Sequence, residues 1–155
     1  MENAIPKSVS DTLTPLYINA YRSEFSGIKT EVNMSDYKIY ANHAHLFPKN
    51  TKPNGDKDYL KRLLDECGIE KAVCFAPFQN QMAMYDLTEN RNLWLAREIA
   101  NEPQLVGFGT INFDEDNLED QVKQIAELGL LGIKIHPAYQ EVKIDSPKLF
   151  RVYEA

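Results

Sequence analysis

The feature that most constrains this chain is a recurrence. Apolar stretches of strand length at 38–45, 71–78, 105–111 and 132–137 are each followed by a loop and then helical periodicity, at roughly 30-residue spacing. Strand, helix, strand at that period predicts βαβ units, because neighbouring parallel strands need a crossover long enough to hold a helix. The near-continuous apolar character of the strands agrees, since parallel sheets are covered on both faces. A small open α/β sheet of four strands is the simplest architecture with this pattern. No Gly-x-Gly-x-x-Gly follows a strand and no phosphate-loop pattern occurs, which argues against dinucleotide and P-loop nucleotide binding.

The helices announce themselves by spacing and punctuation. Leu60, Leu63, Leu64 and Cys67 recur at helical intervals and Gly68 ends the run. Thr88 is a suitable cap for a helix carrying Leu93, Trp94, Leu95, Ala96, Ile99 and Ala100, which ends near Asn101 before Pro103. Asp114 or Asp116 can cap a third, with Leu118, Val122, Ile125 and Ala126 on one face and Gly129 as its stop. Ser146-Pro147 is a cap followed by proline at the first helical position. Leu149, Phe150, Val152 and Tyr153 begin an apolar face there, and the sequence stops at Ala155 without a glycine, which predicts a truncated chain. Residues 1–37 read as an arm before the main fold at 38–155, with one short helix capped by Thr14 at Pro15.

Charge narrows the function classes. Seventeen basic and 23 acidic residues leave a net charge of -6 and no basic stripe, so nucleic acid is not an expected partner. Neither a signal peptide nor an apolar run of membrane-spanning length is present, and a cytoplasmic protein is expected. Cys67 and Cys74 fit neither a metal motif nor a disulfide framework and are expected to be two small buried hydrophobes.

The chemistry gathers at the first strand, which ends in Asn42-His43-Ala44-His45. Residues two apart on a strand share a face, roughly 6.5–7 Å apart at Cα, so His43 and His45 can reach one metal ion. By the same parity Ile39 and Ala41 would share their face, with Tyr40, Asn42 and Ala44 on the other. Two imidazoles are too few for a zinc site, which uses three or four protein ligands, and a histidine pair that only hydrogen-bonds its neighbours remains the alternative. Lys134 and His136 also share one parity, so both can point the same way from the fourth strand.

Four segments together resemble the amidohydrolase superfamily, more narrowly the amidohydrolase-related family that includes aminocarboxymuconate-semialdehyde decarboxylase. They are Asn42-His43-Ala44-His45, Gly68-Ile69-Glu70-Lys71-Ala72-Val73, Pro103-Gln104-Leu105-Val106-Gly107-Phe108-Gly109-Thr110, and 128–137 with Lys134 and His136-Pro137. The resemblance implies a (β/α)8 TIM barrel with its site at the C-terminal strand ends; such barrels need about 250 residues, so this chain would hold the first four βα units. It implies His43 and His45 as ligands of a divalent metal, zinc above others, with Lys134 and His136 as further metal or substrate contacts. It departs from the family at Ala41, where an aspartate is usual.

The resemblance implies a metal-dependent hydrolase or decarboxylase (a lyase) for a small carboxylate- or carbonyl-bearing substrate. Loops 46–57, 79–87 and 137–145 would line the mouth, with Gln79, Tyr85 and Tyr139 as contacts. This chain alone would be inactive for want of the later strands. The alternative is a non-catalytic fragment or assembly module with an orphaned His-x-His half-site, in which association into a homo-oligomer would repeat the same two histidines.

Overall fold

A computed structural model describes residues 37–49 and 51–155. The chain divides by its contacts after Tyr37, and the unit Lys38–Ala155 is the one described below. The expected helix at Thr14 lies outside the described residues.

Strands and α-helices alternate, with two short 3-10 helices, Gln79–Gln81 and Ala83–Tyr85, after the second strand. β1 (Ile39–His45), α1 (Lys57–Cys67), β2 (Ile69–Phe75), α2 (Arg91–Ile99), β3 (Leu105–Thr110), α3 (Leu118–Glu127), β4 (Gly132–Lys134) and α4 (Pro147–Glu154) follow one another in the chain. The strands form one parallel sheet in the order β1-β2-β3-β4, curled into a half-barrel. Each strand therefore pairs with its sequence neighbour, as short crossovers favour.

The core lies between sheet and helices. Ala72 and Cys74 of β2, Trp94 and Leu95 of α2, Leu118 and Ile125 of α3, and Leu149 and Val152 of α4 belong to one buried cluster. Helix and sheet meet closely because β3 offers no side chain at two positions. A Cβ on Gly107 would lie 2.4 Å from Leu130 Cδ2 and 2.5 Å from Ile99 Cδ1; one on Gly109 would lie 2.6 Å from Ile125 Cγ1. A side chain at either position would force Leu130, Ile99 or Ile125 out of its place.

The helix signals hold in part. Gly68 ends α1 with φ of 65°, and Gly129 follows α3 with φ of 74°, both left-handed conformations that glycine adopts cheaply. Ser146 caps α4, its Oγ accepting the Leu149 N–H, with Pro147 in the first turn. α2 begins later than expected: Asn90, not Thr88, is the cap, and its side chain accepts from the N–H groups of Asn92 and Leu93. Neither Asp114 nor Asp116 caps α3, whose cap position is Asn117.

Two sequence expectations are corrected. β1 does not keep a strict alternation: its pairing with β2 shifts between Ala41 and Ala44, and both alanines pack on the core. The irregularity reverses the parity, so Ala41 does not share the histidines' face, and a second shift between Ile39 and Tyr40 breaks the alternation again. The cysteines are also unlike one another. Cys74 is fully buried, while Cys67 at the end of α1 is exposed. Burial pushes the Cys74 thiol up to about 12. Only Cys67 should therefore react with a thiol-directed disulfide reagent in the folded protein, with Cys74 released on denaturation. Cys67→Ser should abolish the native reaction; a fast second equivalent without denaturant would contradict the packing of β2.

Candidate metal centre at the strand ends

The site is built at the C-terminal end of β1, on the sheet face away from the helices. Ala44 turns toward the core, and His43 and His45 on either side of it turn away, both exposed. Their Nε2 atoms lie 2.9 Å apart. With both rings neutral, one carries its proton on Nε2 and the other on Nδ1, and one lone pair is directed at the neighbour's N–H. Tetrahedral zinc with Zn–N near 2.0–2.1 Å holds two nitrogens about 3.3 Å apart, so a small opening of the pair accommodates an ion.

Phe75, at the end of β2, is the wall behind them. Its ring meets His43 edge-on at 4.8 Å and His45 at 5.6 Å between centroids, and it packs on Phe108 at 6.1 Å. Gly132 makes room for Phe108, since a Cβ there would fall 2.7 Å from the ring. Lys134 reaches across the same wall, its Nζ 4.7 Å from the Phe75 centroid. The imidazole of His45 is held below its usual value of 6.5, first by partial burial, then by the positive potential of His43, Lys134 and Lys52. His45 is therefore neutral at pH 7, the state a metal ligand requires.

His136 stands apart from this group. β4 ends at Lys134, so His136 lies in the turn beyond it. Its Nδ1 accepts the Tyr139 N–H at 3.1 Å, and its ring packs against Phe78 and Tyr139. A neutral His136 then carries its proton on Nε2, which removes that lone pair from any metal. Tyr139 and Gln79 line a cleft of about 230 Å³ with Phe78, Asn112, Asp114 and Glu141. Tyr85 is instead buried, edge-on to Phe47 at 5.1 Å. Among the described residues no group of three or more His, Cys, Asp or Glu is placed to hold a metal.

Sequence reasoning passed over the polar node that holds the strand ends in place. Asn92, 1% exposed, accepts the Thr110 N–H at 2.8 Å and donates to the Thr110 carbonyl at 3.1 Å, standing in for a neighbouring strand. Arg91, 5% exposed, donates to Thr110 Oγ1, the Thr110 carbonyl, Gln79 Oε1 and Gln121 Oε1. Thr110 Oγ1 donates in turn to the Pro77 carbonyl. Burial pulls the guanidinium below its usual value and Glu115 opposes that shift. Adjacent Arg91-Asn92 at the start of an otherwise apolar helix face was the available signal.

No protein-family model, curated protein or solved structure matches the chain. Among the described residues no helix is long and apolar enough to cross a membrane.

Asn92→Leu keeps the volume but strands the Thr110 N–H in the core, a loss of about 1–3 kcal/mol. Denaturant unfolding should show it as a lower midpoint with an unchanged slope. A midpoint within error of the parent would mean that Asn92 does not hold the end of β3.

Proposed function

We propose that residues 38–155 are the first four βα units of a (β/α)8 barrel of the amidohydrolase-related kind, in which His43 and His45 are two ligands of a divalent metal, zinc foremost. The activity proposed for that barrel is hydrolysis or decarboxylation of a small carboxylate- or carbonyl-bearing substrate. One observation carries the proposal: two imidazole Nε2 atoms converge to 2.9 Å at the C-terminal end of the first strand of a curled parallel sheet. That is the end at which barrel enzymes assemble their sites. The four segments that resemble the family support the same assignment.

The chain's own groups divide the work. His43 and His45 supply two imidazole nitrogen donors, and Phe75 keeps water from one side of them. Lys134 sets a positive charge beside the pair and favours an anionic substrate. A zinc ion bound there supplies Lewis acidity toward a carbonyl or carboxylate oxygen and lowers the pKa of its water to about 7. The donors are half of a four-coordinate set.

The missing donors favour a second reading, in which the histidines are an orphaned half-site on a non-catalytic fragment. Elemental analysis after brief chelation separates the two. The proposed metal site predicts zinc that survives chelation in the parent and is absent from His43→Ala/His45→Ala. Zinc lost from both proteins alike would leave the orphaned half-site.

Acid gives a second check. The folded-state value of His45 is lowered, so the unfolded chain takes up its proton first as pH falls. Stability associated with the neutral ring is complete above 6.5 and declines below it. Zinc retention should fall in the same direction as pH is lowered from 7 through 6.5 and below, because protons compete for the lone pairs. Retention independent of pH across that window would place the metal elsewhere.

A further inference from the structure

The cleft of about 230 Å³ lies between three loops of the described unit, those that follow β2, β3 and β4. Neither His43, His45 nor Lys134 lines it, so it is separate from the histidine pair. Its apolar side is Ile111 and Phe113, both buried, together with Phe78 and Tyr139, whose ring centroids stand 5.2 Å apart. Its charged groups are Asp114 and Glu141, both exposed, and no ion pair engages either among the described residues. No lysine, arginine or histidine among the described residues lines it. Lys148 donates to the Phe113 carbonyl and Arg91 to Gln79 Oε1, both from outside the lining.

Two negative charges beside two aromatic rings suit an organic cation, which the carboxylates attract by charge and the rings by their electron-rich faces. A hard divalent ion needs six or more oxygen ligands. Among the described residues no three His, Cys, Asp or Glu are placed to hold a metal, so the aromatic rings decide between the two kinds of cation.

The walls are set before any ligand arrives. Gln140 bridges two of the loops: its Oε1 accepts the His136 N–H at 2.7 Å, and its Nε2 donates to the Ile111 carbonyl at 2.8 Å. Arg91 fixes Gln79 at 2.9 Å, and Asn112 Oδ1 accepts the Asp114 N–H at 3.2 Å. Preformed walls reduce the ordering lost on binding. Glu141 is held at a cost. Its φ of 51° lies in the left-handed region, which glycine adopts freely and a glutamate rarely does. The chain places a carboxylate at a turn position where glycine is the cheaper residue, the kind of local strain found at binding sites.

We propose that this cleft binds a small organic cation, with a primary ammonium group held by Asp114 and Glu141 and its short alkyl stem lying on Phe78 and Tyr139. An ammonium carries three N–H donors, enough to serve both carboxylates at once. The proposal does not depend on the metal-ligand reading of His43 and His45.

The test is a titration of the full 155-residue chain with butylammonium chloride, read by amide NMR, beside butanol and sodium butyrate at the same ionic strength. Butylammonium should shift the amides of 78–80, 111–114 and 139–141, and the neutral and anionic analogues should not. Asp114→Asn and Glu141→Gln keep the shape and remove a charge, and each should weaken binding about fivefold. Glu141→Gly separates binding from folding. It should weaken butylammonium as Glu141→Gln does while holding or raising the denaturation midpoint, because relief at φ of 51° offsets the freedom glycine adds to the unfolded chain. Butanol acting on the same amides with equal affinity, magnesium chloride doing so, or undiminished binding in both charge-removing variants would overturn the proposal. Each of these outcomes leaves the zinc reading untouched, since that is measured on the histidine variants.

Discussion

The rim of the sheet depends on one buried exchange of hydrogen bonds, that between Asn92 and Thr110. A parallel strand of six residues ends at Thr110, where the ladder would otherwise leave an N–H and a carbonyl without partners in the core. Asn92 supplies both from a helix instead of a strand. Arg91 then surrounds the same threonine, and the threonine hydroxyl ties itself to Pro77 at the end of β2. A guanidinium without a carboxylate partner is costly to bury. Here four hydrogen bonds to neutral acceptors offset that cost, and the ends of the two middle strands are fixed together.

The same rim adjoins the face that carries the histidines. Phe75 ends β2 a short distance before Pro77, and its ring is pressed from the other side by Phe108. Against this wall the two imidazoles and the Lys134 ammonium take up their places. The arrangement is electrostatically one-sided: a cation and two imidazoles, with no carboxylate paired to Lys134 among the described residues. A metal cation would meet such a surface through the lone pairs alone, and an anion through the lysine.

Much of this architecture is legible in the chain because its signals are local. The period of the apolar stretches, the glycines at 68 and 129, and Ser146-Pro147 act over a few residues each, and the elements appear where they point. What the chain concealed is tertiary. The slip between Ala41 and Ala44 comes from pairing with β2, and no rule of alternation contains it. Asn90 displaces Thr88 as a cap because its side chain serves two N–H groups at the true start of α2. The site divides in the same way. His43 and His45 are visible as a pair from their spacing alone, whereas the separate fate of His136 follows from β4 ending two residues earlier.

Sequential pairing of the strands has a consequence for how such a chain comes into being. Each βα unit finds its partner in the unit just made, so the loops that must close are short and nearly equal. Synthesis from the N-terminus can lay down β1 against β2 before β3 exists, and every later unit adds to a growing edge without disturbing those already docked. A fold of this kind behaves as a ratchet, lengthened or shortened by whole units.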